Sequence, residues 1–324
     1  MSPKLPAQLF DDRRRARLEH LVDLVRPDAV AALDEASAGD VADVEILVTG
    51  WNAPRLTPEI LDRMPKLRVV VHAAGTVKTF VTDEVFARGV RVTSVADANA
   101  VPVAEYTFAA ILFGAKRAKP LAEWYRRHRT TRDVTGVHWL GTYGITIGVI
   151  GASRTGRRVI SLLQTLDAAV QVYDPYCTPA EAAELGVALV GLDDLLATSD
   201  VVSVNAPATP ETRHMLDARR IALMRDGTVL VNTARGSLID HEALLPHLVD
   251  GRLDAVLDVA SPEPPPPDSP LYDLPNVLLT PHIAGALGNE VGRLGHAAVD
   301  ELAAYLDGRP MPGEVLAGRL RHLA

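Results

Sequence analysis

The chain has 324 residues, room for two domains at ~150 residues apiece, and its 48% hydrophobic, 23% charged and 5% aromatic residues describe a globular protein with an aliphatic core. A formal net charge of −8 leaves no basic surplus to neutralise a phosphate backbone, so nucleic acid is not an expected partner. The longest apolar runs, such as Phe108–Phe113, fall short of the ~20 residues of a membrane span, and Met1–Phe10 carries no apolar signal core. The single cysteine, Cys177, can form neither an internal disulfide nor a cysteine-rich zinc site, so a metal-free protein of the reducing cytoplasm is expected.

In chain order, Arg13, Arg14 and Arg15 read as a solvated helix face. Glu45–Thr49, Leu67–Val71 and Arg91–Ser94 read as strands. A helix is expected from Val101 to Ala115, with Pro102 in its first turn, where a missing N–H costs little. The basic stretch 116–144 follows, with Arg126, Arg127, Arg129 and Arg132 and two tryptophans, Trp124 and Trp139. Strand Thr146–Ile150, helix Thr155–Leu166, strand Val170–Tyr173 and helix Pro179–Leu185 come next. They lead to strands Val201–Val204 and Thr228–Val231, helix His241–Val249, and strands Ala255–Asp258 and Val277–Leu279. A last helix runs from Gly288 to Leu306 on the stripe Val291, Leu294, Ala298, Leu302 and Tyr305, and stops at Gly308 and Pro310.

The strands are rich in Val, Ile and Leu without polar alternation, as suits parallel strands covered on both faces. Strand–helix alternation predicts an α/β fold of two doubly wound parallel-sheet domains. Residues 101–287 form one of them. Residues 1–100 and 288–324 form the other.

The sharpest local signal runs from Ile145 to Gly156. A strand ends at Ile150, Gly151 makes a tight turn, and Ser153, Arg154, Thr155 and Gly156 open a helix; Asp174 follows 18 residues after Gly156, past a second strand. This is a dinucleotide fingerprint with Ser153 at its middle glycine. Helix-terminal N–H groups hold a pyrophosphate, and the acid accepts from ribose hydroxyls. Asp174 would repel a 2′-phosphate, and no arginine follows it, so NAD is expected over NADP, with NADH preferred over NADPH.

Three further segments lie just past strand ends, where open α/β sheets place ligands. Arg235, beside Gly236, offers a planar fork for a carboxylate and a neighbouring carbonyl oxygen. Asp258 and Glu263 are two carboxylates after the next strand. His282 follows the last strand, and histidine is the natural proton donor near neutral pH; a carboxylate partner would orient it and keep it charged.

With these residues in view, the chain resembles the D-isomer-specific 2-hydroxyacid dehydrogenases, a family that includes phosphoglycerate, glyoxylate and hydroxypyruvate reductases. The resemblance is carried by Gly151–Gly156, Asp174, Asn205 to Thr212, Met224 to Gly236, Glu263-Pro264 and Leu274 to Gly285, which span most of the chain. It implies a Rossmann NAD-binding domain inserted into a flavodoxin-like substrate-binding domain. It also implies hydride transfer between NADH and a small 2-oxo acid to give a D-2-hydroxy acid.

The family's Arg–Glu–His catalytic set falls on Arg235, Glu263 and His282. Its cofactor contacts fall on Arg154 and Thr155 at the pyrophosphate, Asp174 at the ribose, and Ala206, Pro207 and Thr212 on the adenine side. Asp258 would meet the nicotinamide carboxamide, with Thr233, Ala234, Ala284 and Gly285 lining its pocket. Backbone N–H groups of Ala74, Gly75 and Thr76 would bind the substrate carboxylate. His72 and Trp51 either line that pocket or pack behind it. Asn99 caps a hinge before the long helix, and segment 116–144 corresponds to the family's dimer arm.

The chain departs from the family at Val77–Val81, where an Asp-Asn pair is common and Lys78 stands here, and at Asn205, where many members carry histidine. A formate dehydrogenase would carry a glutamine at Pro281. A nucleotide-sensing binding protein, like a corepressor of the same superfamily, is the alternative from another functional class. No long C-terminal extension like that of regulatory phosphoglycerate dehydrogenases is read, so control by an appended domain is not expected.

Overall fold

The computed structural model describes residues 1, 4–25, 29–30, 33, 41–131, 133 and 140–322; Arg132 and Trp139 lie outside the described residues. The strands are β1 (Ile46–Thr49), β2 (Val69–His72), β3 (Arg91–Ser94), β4 (Thr146–Ile150), β5 (Ala169–Tyr173), β6 (Ala188–Leu189), β7 (Val201–Val204), β8 (Val229–Asn232), β9 (Asp254–Leu257), β10 (Val277–Leu279) and β11 (Glu314–Val315). The chain divides into two compact units, Met1–Ala100 with Ala286–Ala324, and Val101–Gly285.

In the first unit the sheet order is β1-β2-β3-β11. Successive strand residues face opposite sides, and the valines show it. Val69 and Val71 pack with Leu5, Leu9, Leu294 and Leu302 on one face, while Val70 and Val92 pack with Leu56, Leu61, Phe80 and Val85 on the other. A strand apolar at every position is what two covered faces require. β11 pairs antiparallel to β3, a departure from the all-parallel expectation. It is only two residues long, too short to leave a pattern, and it is held by tertiary bonds. Arg91 forks onto Glu314 at 2.7 and 2.9 Å, and buried Glu301 accepts from Thr93 Oγ1 at 2.6 Å and Gly313 N–H at 2.8 Å. Burial pushes the Glu301 carboxyl up, against those two donors.

The second unit carries a seven-stranded parallel sheet in the order β10-β9-β8-β7-β4-β5-β6. The direction of winding reverses between β4 and β7, which opens a crevice at their carboxyl ends. The helix Ala96–Ala115 leads into this unit and starts earlier than the Val101 expected, with Pro102 inside it. Alanines at 96, 98 and 100 favour the extra turn. Asn99 is therefore helical, and its Oδ1 accepts from Ala286 N–H at 3.1 Å. By length and composition this helix would suffice to cross a membrane, contrary to the sequence expectation, but Ala104, Ile111 and Ala115 are buried in the core with Ile147 and Val231. The helix expected over Thr155–Leu166 runs Arg154–Leu163.

At the end of β2, His72 is buried. Its Nδ1 lies 2.9 Å from Thr49 Oγ1, and its ring lies 4.8 Å from that of Phe80. Burial lowers its pKa from 6.5 to about 4. Between those values the unfolded chain binds a proton that the folded chain excludes, so stability falls as pH drops from 6.5 to 4, by up to about 3 kcal/mol. Urea denaturation across this window should show that slope, and His72→Gln should flatten it; an equal slope in both proteins would remove His72 as its source.

Candidate active site

Gly151, at the end of β4, has φ +99°, and a Cβ there would lie 2.8 Å from the Ala206 backbone at the end of β7. A Cβ on Gly156 would stand 1.9 Å from the Gly151 carbonyl oxygen. Both positions require glycine. Position 153 does not, because its φ of −65° is open to any residue. Instead, the Ser153 hydroxyl caps the helix Arg154–Leu163, accepting from Gly156 N–H at 3.1 Å and donating to the Asn205 carbonyl at 2.8 Å. The departure from the glycine fingerprint thus ties the helix start to β7.

Asp174 follows β5. Its Oδ2 accepts from Ala152 N–H at 2.7 Å and its Oδ1 from Tyr176 N–H at 2.8 Å. Each carboxylate oxygen retains a lone pair for a hydroxyl donor. Beyond β7, Thr212 folds the loop back through its hydroxyl, 2.7 Å from the Pro207 carbonyl, and leaves Ala206 buried beside Gly151. A glycine turn, a helix N-terminus and a half-buried carboxylate at the reversal point fit a dinucleotide.

The second cluster follows β8, β9 and β10, which lie side by side in the sheet. Arg235 leaves β8 in a turn clamped by Asn232, whose Nδ2 donates to the Arg235 carbonyl at 2.9 Å and whose Oδ1 accepts from Ala234 N–H at 3.0 Å. Gly236 lets this turn meet the loop after β9, since a Cβ there would stand 1.9 Å from the Ala260 carbonyl oxygen. That loop carries Glu263. Partial desolvation lowers the Arg235 pKa, and the charge of Glu263 acts in the opposite direction. Glu263 Oε1 lies 2.7 Å from His282 Nδ1, with both side chains open to solvent. The structure thus brings Arg235, Glu263 and His282 to one cluster.

His282 itself has φ +55°, a conformation that non-glycine residues adopt rarely. Asp258, buried at the end of β9, holds it there. Its carbonyl accepts from His282 N–H at 2.9 Å, its Oδ1 accepts from Thr280 Oγ1 at 2.7 Å and Ile283 N–H at 2.8 Å, and its Oδ2 accepts from Ala284 N–H at 2.8 Å. Thr233 and Ala284 are buried in the same cluster, with Ala234 and Gly285 half-buried.

Ala74, Gly75 and Thr76 belong to the other unit, directly after β2. Thr76 Oγ1 accepts from Lys78 N–H at 3.4 Å. Of the two residues left open there, His72 is buried, and Trp51 packs partly buried against the Leu5–Leu294 core. Asn232, Tyr106 and Thr107 join the site beyond the residues expected from the sequence. Asn232 stands three residues before Arg235 and was legible as a turn former; the other two become visible only when the long helix is laid on the sheet.

The sequence signature described as "D-isomer specific 2-hydroxyacid dehydrogenase, NAD binding domain" matches residues 108–284. The chain is 36% identical over 296 residues to the D-3-phosphoglycerate dehydrogenase of Mycobacterium tuberculosis, covering 90% of this chain and 53% of that one. It is 32% identical to the glyoxylate reductase of Korarchaeum cryptofilum, covering 85% and 83%. Among solved structures, the D-lactate dehydrogenase of Aquifex aeolicus, complexed with NAD and lactic acid, is 30% identical with a TM-score of 0.67 over 85% of this chain and 86% of that one. The chain spans about half the length of the phosphoglycerate dehydrogenases it matches.

Removal of the Ser153 cap should cost about 1 kcal/mol of stability in Ser153→Ala, and only a few tenths relative to Ser in Ser153→Gly. Chemical denaturation of the two variants checks this, and equal losses would contradict the capping role.

Proposed function

The chain belongs to the D-isomer-specific 2-hydroxyacid dehydrogenase family, and from that premise we propose that it interconverts a small 2-oxo acid and the corresponding D-2-hydroxy acid, with NADH as hydride donor. The observation that carries this reading is the 2.7 Å pair between His282 Nδ1 and Glu263, beside Arg235 and on the same sheet edge as the dinucleotide crevice. The relatives named phosphoglycerate dehydrogenase, glyoxylate reductase and D-lactate dehydrogenase support the substrate class.

Gly151, Ser153, Arg154, Thr155 and Gly156 would hold the pyrophosphate of NAD, Asp174 the ribose, and Ala206, Pro207 and Thr212 the adenine side. Bound NADH supplies a hydride to the carbonyl carbon. The chain's residues do the rest. Arg235 would hold the substrate carboxylate and polarise the carbonyl; Ala74, Gly75 and Thr76 are the first unit's candidates for carboxylate contacts through their backbone N–H groups. Glu263 accepts from His282 Nδ1, which leaves Nε2 to deliver its proton to the forming alkoxide. Asp258 spends one Oδ2 lone pair on Ala284 N–H and keeps another for the nicotinamide carboxamide. Thr233, Ala234, Ala284 and Gly285 line the nicotinamide pocket.

The finer assignments belong to the same proposal. Asp174 favours NADH over NADPH by repelling a 2′-phosphate. Segment 116–144 forms a homodimer contact. Its helix Ala118–His128 buries none of its own residues, and Tyr125 is 60% exposed. A buried lone thiol, Cys177, suits the cytoplasm.

Turnover of NADH against NADPH with glyoxylate, hydroxypyruvate, pyruvate, phenylpyruvate, 2-oxoisocaproate and 2-oxoglutarate tests the reading. At least one acid should oxidise NADH, and faster than NADPH. His282→Ala should lower kcat by about 10² to 10⁴. Full turnover in that variant would remove His282 as the acid. Arg235→Ala should reduce kcat/KM for the acid and leave NADH affinity nearly unchanged; an unaltered kcat/KM would refute its role.

A further inference from the structure

We propose that Tyr106 is a positioning residue for His282, acting through Thr280 and Asp258. The catalytic consequence rests on the dehydrogenase reading above; the positioning itself does not. Tyr106 lies on the helix Ala96–Ala115, with its hydroxyl 2.7 Å from Thr280 Oγ1. Thr280 Oγ1 lies 2.7 Å from Asp258 Oδ1. The direction of the chain follows from counting protons. The Asp258 carboxylate also receives the Ile283 and Ala284 N–H groups, so it accepts on both oxygens, and Thr280 must donate to it. The Thr280 hydroxyl has one proton, so its bond to Tyr106 is one in which Tyr106 donates. Tyr106 therefore sets the rotamer of Thr280 and, through it, the acceptor geometry of Asp258.

That geometry matters because His282 occupies a left-handed backbone conformation at φ +55°. Such a conformation persists only where the surroundings over-determine it. Asp258 supplies those constraints on both sides of His282, and Tyr106 closes the network from outside the loop. The next residue repeats the device at the second catalytic turn. Thr107 Oγ1 donates to the Val103 carbonyl at 2.6 Å, so its 2.6 Å contact with Thr233 Oγ1 is one in which Thr233 donates. Thr233 stands two residues before Arg235. Adjacent side chains of one helix thus brace the turns that carry His282 and Arg235.

The test compares wild type with Tyr106→Phe, which removes one hydroxyl, and with Thr280→Ser and Thr280→Val, which keep and remove the next. Amide hydrogen exchange at Ile283 and Ala284 should rise about fivefold or more in Tyr106→Phe and Thr280→Val, while Thr280→Ser and the amides of helix Arg154–Leu163 stay at wild-type rates. Unchanged exchange at Ile283 and Ala284 in a folded Tyr106→Phe overturns the proposal. This readout needs no turnover, so it stands or falls apart from the dehydrogenase reading. With an acid that wild type reduces, Tyr106→Phe should lower kcat about tenfold at unchanged NADH affinity, and should add nothing further in the Thr280→Val background. Additive losses in that double variant, or a wild-type kcat in Tyr106→Phe, would overturn the link from Tyr106 through Thr280 to His282.

Discussion

The carboxylate of Asp258 is the interaction on which the proposed catalytic cluster depends. It is buried at the end of β9, between β8 and β10, and its two oxygens take the Thr280 hydroxyl and the Ile283 and Ala284 amides. A buried charge is tolerated only when its hydrogen bonds are made, and here making them folds the turn that holds His282. The solvent-open imidazole is aimed by Glu263, while its backbone is held from beneath by the buried Asp258. The division is economical in chemistry. The imidazole and its carboxylate partner stay open to solvent, and the rigidity comes from the core.

The same logic of close approach governs the dinucleotide end. Gly151 and Gly156 are glycines because backbone atoms occupy the places where their side chains would go, and Gly236 repeats the constraint where the Arg235 turn meets Ala260. Parallel strands deliver every one of these loops to one edge, which gathers residues from 151 to 285. Ser153 shows how the fingerprint can vary. Where no steric demand exists, a hydroxyl that caps the helix and grips the Asn205 carbonyl replaces the freedom of a glycine.

Much of this was legible in the sequence, for physical reasons. Runs such as Val69–Val71 and Val229–Val231 are apolar on consecutive residues because both strand faces are covered, and that marks parallel strands without further context. Arg235 and His282 could be found because each stands three residues past such a strand, and Glu263 because it lies in the loop after the strand between them. The two-residue strands β6 and β11 carry no period to read. The early start of the helix at Ala96 was hidden by Pro102, a residue that usually marks a first turn. Tyr106, Thr107 and Asp258's full set of donors depend on which elements lie side by side, and sheet order is a property of tertiary packing rather than of any local window.

In the proposed reaction NADH would supply the hydride and His282 the proton that together reduce a 2-oxo acid. The most direct measurement is transfer of deuterium from NADH labelled at C4 of the nicotinamide, followed by chiral separation of the product acid. Wild type should place deuterium at C2 of a D-2-hydroxy acid, and His282→Ala almost none. Tight NADH binding with no labelled product from any 2-oxo acid, or a labelled L-acid, would contradict it.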